Sequence, residues 1–462
     1  MTLLKPRKAI FLHLSRPMKL QENFSRVSLS DDYLVITVGP ESQVPIELCM
    51  RGDGNPQRTG ALAAGDTLQA FCRSAGIEPR ESFYLSDFAA PLAEAVKAGC
   101  FGLFIMEGQG GGCLDGFSID VPAFHSLGDA LTWVFRDPDP LGCLRKEIAQ
   151  GAERLRQGGV VAFPTETVYG LGADALNPDA VKQIFSLKGR PHFNPLIAHV
   201  ASRDQVETLV TLIPNAAEIL MERFWPGPLT LVFPKKPHVP DITTGGNPTV
   251  AVRMPRHPVA LELLRQAGTP VAAPSANAFG KTSPTTAAHV REQLGPGDYS
   301  LIDGGGCRVG VESTVVSLTG AVPVLLRPGG ITREMIESVA GPIEVLSGND
   351  HPVLKNAPLE SPGLLASHYA PETPLYIKEN LTARNDDPRI GILLAAPDSH
   401  VSAGPVVILS ETGSLEEAGA HLYAALRKLD RMGLKEIWAP RFPDIGVGHA
   451  LNDRLSKAAY KK

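Results

Sequence analysis

The chain has 462 residues, with 44 Lys plus Arg against 49 Asp plus Glu, a formal net charge of −5 and 43% hydrophobic residues. At about 150 residues per domain the length predicts three domains, and 45 glycines with 40 prolines stay below the roughly 25–30% at which Pro/Gly-rich chains lose a packed core. Collagenous, coiled-coil and disordered chains are excluded, and the acidic balance argues against a general nucleic-acid-coating protein.

Near the N-terminus a basic stretch precedes Ala9-Ile10-Phe11-Leu12, but His13, Ser15 and Arg16 end the apolar run too early for a signal peptide. No run approaches the 18 apolar residues of a membrane span, so a cytoplasmic location without membrane contact is expected. The six cysteines, at 49, 72, 100, 113, 143 and 307, contain no Cys-x2–4-Cys half-site and predict neither zinc binding nor a disulfide scaffold. The turn-forming run Asp137-Pro138-Asp139-Pro140 and the proline-rich stretch from Ser347 to Pro362 read as breaks. They divide the chain into 1–138, 143–335, an arm over 336–371, and 372–462.

In the second part Leu144, Ile148, Ala152 and Leu155 recur at helical spacing and stop at Gly158-Gly159. Val160–Phe163 reads as a buried strand. Asn177-Pro178 opens the next helix, with Asn as the cap and Pro in the first turn. Further strands are expected at 196–200, 229–233, 249–254, 270–274, 312–318 and 322–327. The last part repeats the alternation: strands at 390–395, 406–409 and 436–439, and an amphipathic helix over 414–432. An α/β architecture follows.

Polar loops at strand ends are where open α/β sheets place ligands. Pro164–Gly172, with Thr165, Glu166 and Thr167, fits equally a tight turn with capping hydroxyls and a ligand loop. Lys188-Gly189-Arg190-Pro191-His192-Phe193-Asn194-Pro195 puts two cations and an amide between a helix end and a strand. Cations there complement a helix C-terminus, and an Arg fork with a Lys point charge also suits polyphosphate. His199 by position alone reads as a core histidine. Arg253, inside the apolar strand Thr249–Met254, needs an anion from the protein or from a ligand. Ala273-Pro274-Ser275-Ala276-Asn277, then Lys281-Thr282-Ser283, would let a ligand approach backbone closely. No segment matches G-x-x-x-x-G-K-[ST], so a P-loop is excluded. Glu312-Ser313-Thr314 and Leu326-Arg327-Pro328-Gly329 add hydroxyls and another cation.

Taken in order, Pro164–Leu171, Lys188–Leu196, Trp225-Pro226-Gly227-Pro228-Leu229-Thr230, Val252–Pro255, Ala273–Asn277 and Leu326–Gly329 closely resemble the YrdC-domain threonylcarbamoyl-AMP synthases over about 143–335. Ser361-Pro362-Gly363 with His368-Tyr369-Ala370-Pro371 resembles the arm of the long, two-domain form. Gly446–Ala459 resembles the end of its C-terminal domain. The resemblance implies a central twisted YrdC-like α/β domain and a smaller Rossmann-like α/β domain. The implied activity is synthesis of threonylcarbamoyl-AMP from L-threonine, bicarbonate and ATP. ATP serves as substrate, with Mg2+, and there is no tightly bound cofactor and no resident metal site. A downstream tRNA threonylcarbamoyl-transferase complex is the implied partner, acting beside the anticodon. Carried over by position, Thr167, His199, Arg253, Ala273 and Ser313 bind threonine. Arg190, Asn194, Thr249, Ser275, Ser283, Arg327 and Tyr369 contact ATP, and Lys188 with Arg190 serve the phosphate chemistry. Tyr369 makes the arm a lid. The arm lacks the basic residue common before His-Tyr, which implies weaker closure.

Residues 1–138 lie outside that resemblance. Lys8–Arg16 is similar to the first strand of haloacid-dehalogenase-like phosphatases, but His13 and Ser15 stand where that family has two aspartates. Asp87 survives from its late motif, and Pro91 replaces a second acid. Without the nucleophile phosphoryl transfer is excluded, which implies a noncatalytic α/β domain. Gly110-Gly111-Gly112 reads as a loop. Two other readings of the whole remain: an RNA-binding module with weak RNA contact, disfavoured by the charge, and a carbamoyl-transfer enzyme, disfavoured by the missing Cys pairs.

Overall fold

The computed structural model describes residues 140–346, 368–379, 387–398 and 404–459, the single residues 381 and 401, and short stretches before residue 140. Contacts divide the chain into two units, Met1–Lys146 and Glu147–Lys462. In the first unit, strands β1 (Lys8–His13), β2 (Tyr33–Thr37), β5 (Phe83–Ser86), β6 (Phe101–Ile105) and β7 (Ala123–Phe124) form a sheet in the order β2-β1-β5-β6-β7. All its neighbours are parallel. The short strands β3 (Cys49–Met50) and β4 (Pro56–Gln57) pair separately. Asp87, Pro91, the triple glycine and the arm from 347 to 367 lie outside the described residues.

The second unit is built on a ten-stranded sheet. Its strands are β8 (Val160–Phe163), β9 (Gly170–Asp174), β10 (Ile197–His199), β11 (Leu229–Pro234), β12 (Thr249–Arg253), β13 (Val271–Ala272), β14 (Tyr299–Leu301), β15 (Thr314–Ser317), β16 (Val324–Arg327) and β17 (Glu344–Val345). Their order is β14-β8-β9-β13-β10-β12-β11-β15-β16-β17, with parallel and antiparallel neighbours mixed. The strands expected from apolar runs are present, and most are shorter. Strand β13 stops at Ala272 and β15 starts at Thr314, which leaves Ala273–Ser275 and Glu312-Ser313 as strand-end loops.

Strand β9 differs from the sequence expectation, which kept Gly170–Gly172 in a loop. The glycines are spacing devices here: a Cβ at Gly172 would lie 2.6 Å from Val271 and 2.7 Å from Phe163. The strand pairs with β8 through Val161–Gly172 and with β13 through Ala173–Ala272. A side-chain-free position can signal close backbone approach as well as a turn.

Helix α1 (Pro140–Arg156) runs into β8, and helix α2 (Pro178–Lys188) follows β9. Asn177 Oδ1 accepts from the N–H groups of Asp179 and Ala180, satisfying two orphan donors of the first turn. Gly189, at φ 62, ends the helix in the left-handed region. Val160, Leu171, Val181, Ile184, Ala198, Leu231 and Val252 belong to the main core.

Past the arm a four-stranded parallel sheet has β18 (Leu375–Lys378), β21 (Glu436–Pro440), β19 (Ile390–Leu394) and β20 (Val406–Ile408) in that order. Helices α3 (Leu415–Asp430) and α4 (Gly448–Ala459) pack on it. Their core cluster also takes in Val168, Val311 and Tyr369, so the two sheets share an apolar seam. At Gly310, φ is 71 and an added Cβ would meet the Ala420 backbone at 2.5 Å.

Candidate functional site

The ends of β8, β10, β12, β13, β15 and β16 surround one cavity of about 50 Å³. Its wall includes Thr165, Thr167, Arg190, His199, Arg253, Ala273, Ser275, Glu312, Ser313, Arg327, His368 and Tyr369. Register explains the convergence: His199 and Arg253 are partners in the parallel β10–β12 pair. Ala273 N–H extends it by donating to the carbonyl of Ile197. Val315 pairs with Arg327 across β15–β16, bringing the Ser313 loop beside the Arg327 guanidinium.

At one end Arg253, 3% exposed, is anchored by three hydrogen bonds. Its Nη2 donates to Glu166 Oε1 at 2.5 Å, its Nη1 to Thr167 Oγ1 at 3.0 Å and its Nε to the Gly227 carbonyl at 3.2 Å. The protein thus supplies an anion for this strand arginine, and Arg253 still forms part of the cavity wall. Burial opposes ionisation of Glu166. The Arg253 charge and the hydrogen bonds from Arg253 and Arg256 outweigh burial and keep Glu166 below the usual carboxylate range. His199 Nδ1 lies 3.1 Å from the Ile197 carbonyl. Burial and the nearby Arg253 push its pKa to about 3, so it is neutral at physiological pH.

At the other end Arg190 Nη2 donates to Asn194 Oδ1 at 2.7 Å and to the Pro195 carbonyl at 2.9 Å, both neutral acceptors. Burial, with repulsion from Arg327, draws the Arg190 pKa down to about 9, although the Tyr369 phenol counteracts it. Arg327 donates to the Ser313 carbonyl from Nε and Nη2 and to Ser313 Oγ at 3.1 Å. Glu312 accepts from Ser283 Oγ at 2.5 Å, from Tyr423 at 2.8 Å and from Arg454 Nε at 2.6 Å. Burial would raise its pKa, but Arg454, Arg327 and these hydrogen bonds hold it at about 2.

Nine of the residues expected from the sequence meet in the wall: Thr167, Arg190, His199, Arg253, Ala273, Ser275, Ser313, Arg327 and Tyr369. Four others do not line it. Lys188 is buried behind it and donates to the carbonyls of Ser275 and Asn277, bracing that loop. Burial and the neighbouring Arg190 take its pKa well below the usual lysine value. Asn194 orients Arg190, and its Nδ2 is buried without a hydrogen-bond partner. Ser283 is turned onto Glu312. Thr249 opens β12 opposite Pro234, four residues and about 13 Å from Arg253 along the strand.

The sequence reading assigned no role to Glu166, Glu312, His368 or Arg454, although each lies in a quoted motif. Glu166 and Glu312 adjoin Thr167 and Ser313, and a carboxylate beside an expected ligand residue was the available signal. Among the described residues no group of three His, Cys, Asp or Glu side chains gathers to hold a metal ion. The carboxylate of Glu312 is committed to Arg454, Tyr423 and Ser283. This donor set does not fit a resident cation. Among the described residues no helix is long and apolar enough to cross a membrane.

Residues 153–329 match the Sua5/YciO/YrdC family described as "Telomere recombination", and 331–460 match "Threonylcarbamoyl-AMP synthase, C-terminal domain". Threonylcarbamoyl-AMP synthase of Bacillus subtilis is 48% identical over 71% of this chain and 97% of its own length. Its Pyrococcus abyssi counterpart is 46% identical over 66% of this chain and 92% of its own. The crystal structure of P. abyssi Sua5 complexed with L-threonine superposes with a TM-score of 0.63 and 45% identity. It covers 68% of this chain and 94% of that one.

Proposed function

This chain belongs to the threonylcarbamoyl-AMP synthase family, and from that premise we propose that its cavity joins L-threonine, bicarbonate and ATP into threonylcarbamoyl-AMP, releasing pyrophosphate. The observation that carries this reading is the convergence of three buried guanidinium groups, Arg190, Arg253 and Arg327, on one hydroxyl-lined cavity. ATP is anionic, threonine carries a carboxylate, and the carbamate formed from it is an anion, so the chemistry brings two anions together. Threonine's amine captures bicarbonate as a carbamate with loss of water. A carbamate oxygen then attacks the α-phosphorus, and pyrophosphate leaves.

The residues' work is binding and charge dispersal. Arg253, oriented by Glu166, with Thr167, His199, Ala273 and Ser313, takes threonine, and Arg253 faces the carboxylate. Neutral His199 lets the pocket keep the amine free of an added positive neighbour. Arg190, oriented by Asn194, with Ser275 and Arg327, takes the phosphates. Lys188 holds the Ser275 loop, Ser283 acts through Glu312, and Thr249 stands apart at the far strand end. Mg2+ enters on the phosphates as part of the substrate, and no step is assigned to a protein-held cation.

The cavity's 50 Å³ is far below the roughly 300 Å³ of small-molecule pockets. The arm residues His368 and Tyr369 therefore have to withdraw for ATP to enter and return to exclude water. The product passes to a tRNA threonylcarbamoyl-transferase complex. The first unit, whose parallel sheet ends its β1 at His13, is read as a noncatalytic haloacid-dehalogenase-like domain.

Purified protein incubated with threonine, bicarbonate and labelled ATP should release pyrophosphate only when both cosubstrates are present. Release without that dependence, together with tight, salt-sensitive RNA binding, would replace this reading with the RNA-binding one.

A further inference from the structure

Arg454 lies on α4, in the C-terminal part, and is not among the residues lining the cavity. It is 1% exposed, and four groups surround its guanidinium. Nε donates to Glu312 Oε2 at 2.6 Å, and Nη2 donates to the carbonyl of Pro328, next to Arg327, at 3.1 Å. Nη1 pairs with Asp453, and the Tyr369 ring centroid lies 5.1 Å from the guanidinium carbon. Two of those contacts, Glu312 and Tyr369, are with wall residues, and a third, Pro328, adjoins the wall residue Arg327.

Tyr369 is the one non-glycine residue with positive φ (63) among those described. Such a backbone persists when its surroundings over-determine it. Here Arg454 contributes a cation–π contact, Tyr423 packs at 5.9 Å, and Ala370 N–H donates to the Gly280 carbonyl at 2.9 Å.

Glu312 poses an electrostatic problem for any anion-binding site. Its carboxylate stands in a wall that faces phosphates, and an unpaired carboxylate there would repel them. Tyr423 and Ser283 donate hydrogen bonds to it but bring no charge. Arg327 adds its charge from within the wall, but Arg454 makes the direct ion pair, from outside it.

We propose that Arg454 is a positioning residue for the synthase reaction, neutralising Glu312 so that the cavity accepts ATP, and fixing Tyr369 and the Arg327-Pro328 turn in their working places. This rests on the synthase reading given above. It assigns the C-terminal part a share in the active site: one of its side chains sets the charge of a cavity that it braces from behind without lining.

The test compares four variants, with thermal melting as the fold control and two readouts: ATP affinity by calorimetry, and kcat with KM for ATP and threonine. Arg454→Gln should weaken ATP binding about tenfold while the threonine KM changes less than about threefold, because the unpaired charge faces the phosphates. The double variant Glu312→Gln/Arg454→Gln removes both charges and should recover ATP affinity to within about threefold of wild type. Glu312→Gln alone should weaken ATP binding less than Arg454→Gln does, because it removes the wall's negative charge rather than exposing it. Arg454→Lys keeps the charge but cannot bridge Glu312, Pro328 and Tyr369 together, so ATP affinity should hold while kcat falls about tenfold.

The proposal is overturned if the double variant binds ATP as weakly as Arg454→Gln, or if Arg454→Gln binds ATP normally. Should Arg454→Gln fail to fold, the double and lysine variants carry the same comparison against wild type. If wild type shows no threonine- and bicarbonate-dependent pyrophosphate release, the synthase reading fails by itself, and calorimetry still decides the charge role of Arg454.

Discussion

Glu166 has both carboxylate oxygens occupied, one by Arg253 and the other by the Arg256 N–H at 2.9 Å. Glu166→Gln would leave the buried Arg253 charge without its counter-ion, which costs about 3–5 kcal/mol; urea denaturation should show that loss at an unchanged m-value. Arg190→Ala should lower turnover by at least about 100-fold. Its fold should persist, because the atoms stranded are neutral acceptors at Asn194 and Pro195 worth about 1–3 kcal/mol. Retained turnover would remove Arg190 from the phosphate site. Acid should act through the buried histidines. His199 and His368 are held at about 3 and His257 at about 4, each chiefly by burial, against an unfolded value of 6.5. The unfolded chain therefore binds more protons below pH 6.5, and stability falls as pH drops from there toward 4. Each histidine contributes a slope of about 1.4 kcal/mol per pH unit within that window. Glu312, held at about 2, adds its own loss below pH 4.5. A stability–pH curve that stays flat from 6.5 to 4.5 would contradict these neutral histidines.

At the scale of elements, two glycines with similar positive φ separate conformational cost from packing. Gly189, at φ 62, caps α2 with nothing within 4 Å of an added Cβ, so Gly189→Ala should cost about 1 kcal/mol. Gly310, at φ 71, abuts the backbone of Gly419 and Ala420 on α3. Gly310→Ala adds a clash to the same strain and should cost about 3 kcal/mol or more, by thermal or urea unfolding. This contrast also marks what was legible. The N-cap of α2 was readable because Asn177-Pro178 acts within a few residues of itself. Strand β8 was readable because four consecutive apolar residues are buried. Strand β9 was not, because its glycines serve neighbours that lie elsewhere in the sequence. The residues brought to the cavity were recognisable as motifs, but their partners were not. Glu166 for Arg253 is 87 positions away, and Arg454 for Glu312 is 142. No periodicity or turn signal encodes such a pairing.

For the whole molecule, the split at Lys146/Glu147 supports removing the first unit. A chain beginning at Pro140 keeps α1 intact and should retain threonine- and bicarbonate-dependent pyrophosphate release within about threefold. Cutting after residue 346 should have the opposite effect. It removes the partners of Val168 and Val311 in the shared seam and strips Arg454 from Glu312. The remaining piece should lose activity and aggregate, because that face is apolar. Activity in the shortened piece would show that the second sheet is dispensable.

The long separation between Glu312 and Arg454 has a temporal side. A ribosome adding about 5–20 residues per second makes the carboxylate roughly 7–28 s before the arginine that neutralises it, 142 positions later. Late in that interval the catalytic sheet and the arm residue Tyr369 are already made, yet Glu312 still lacks the buried ion pair that Arg454 supplies. The charge pairing of the cavity wall is thereby completed only when α4 has been made.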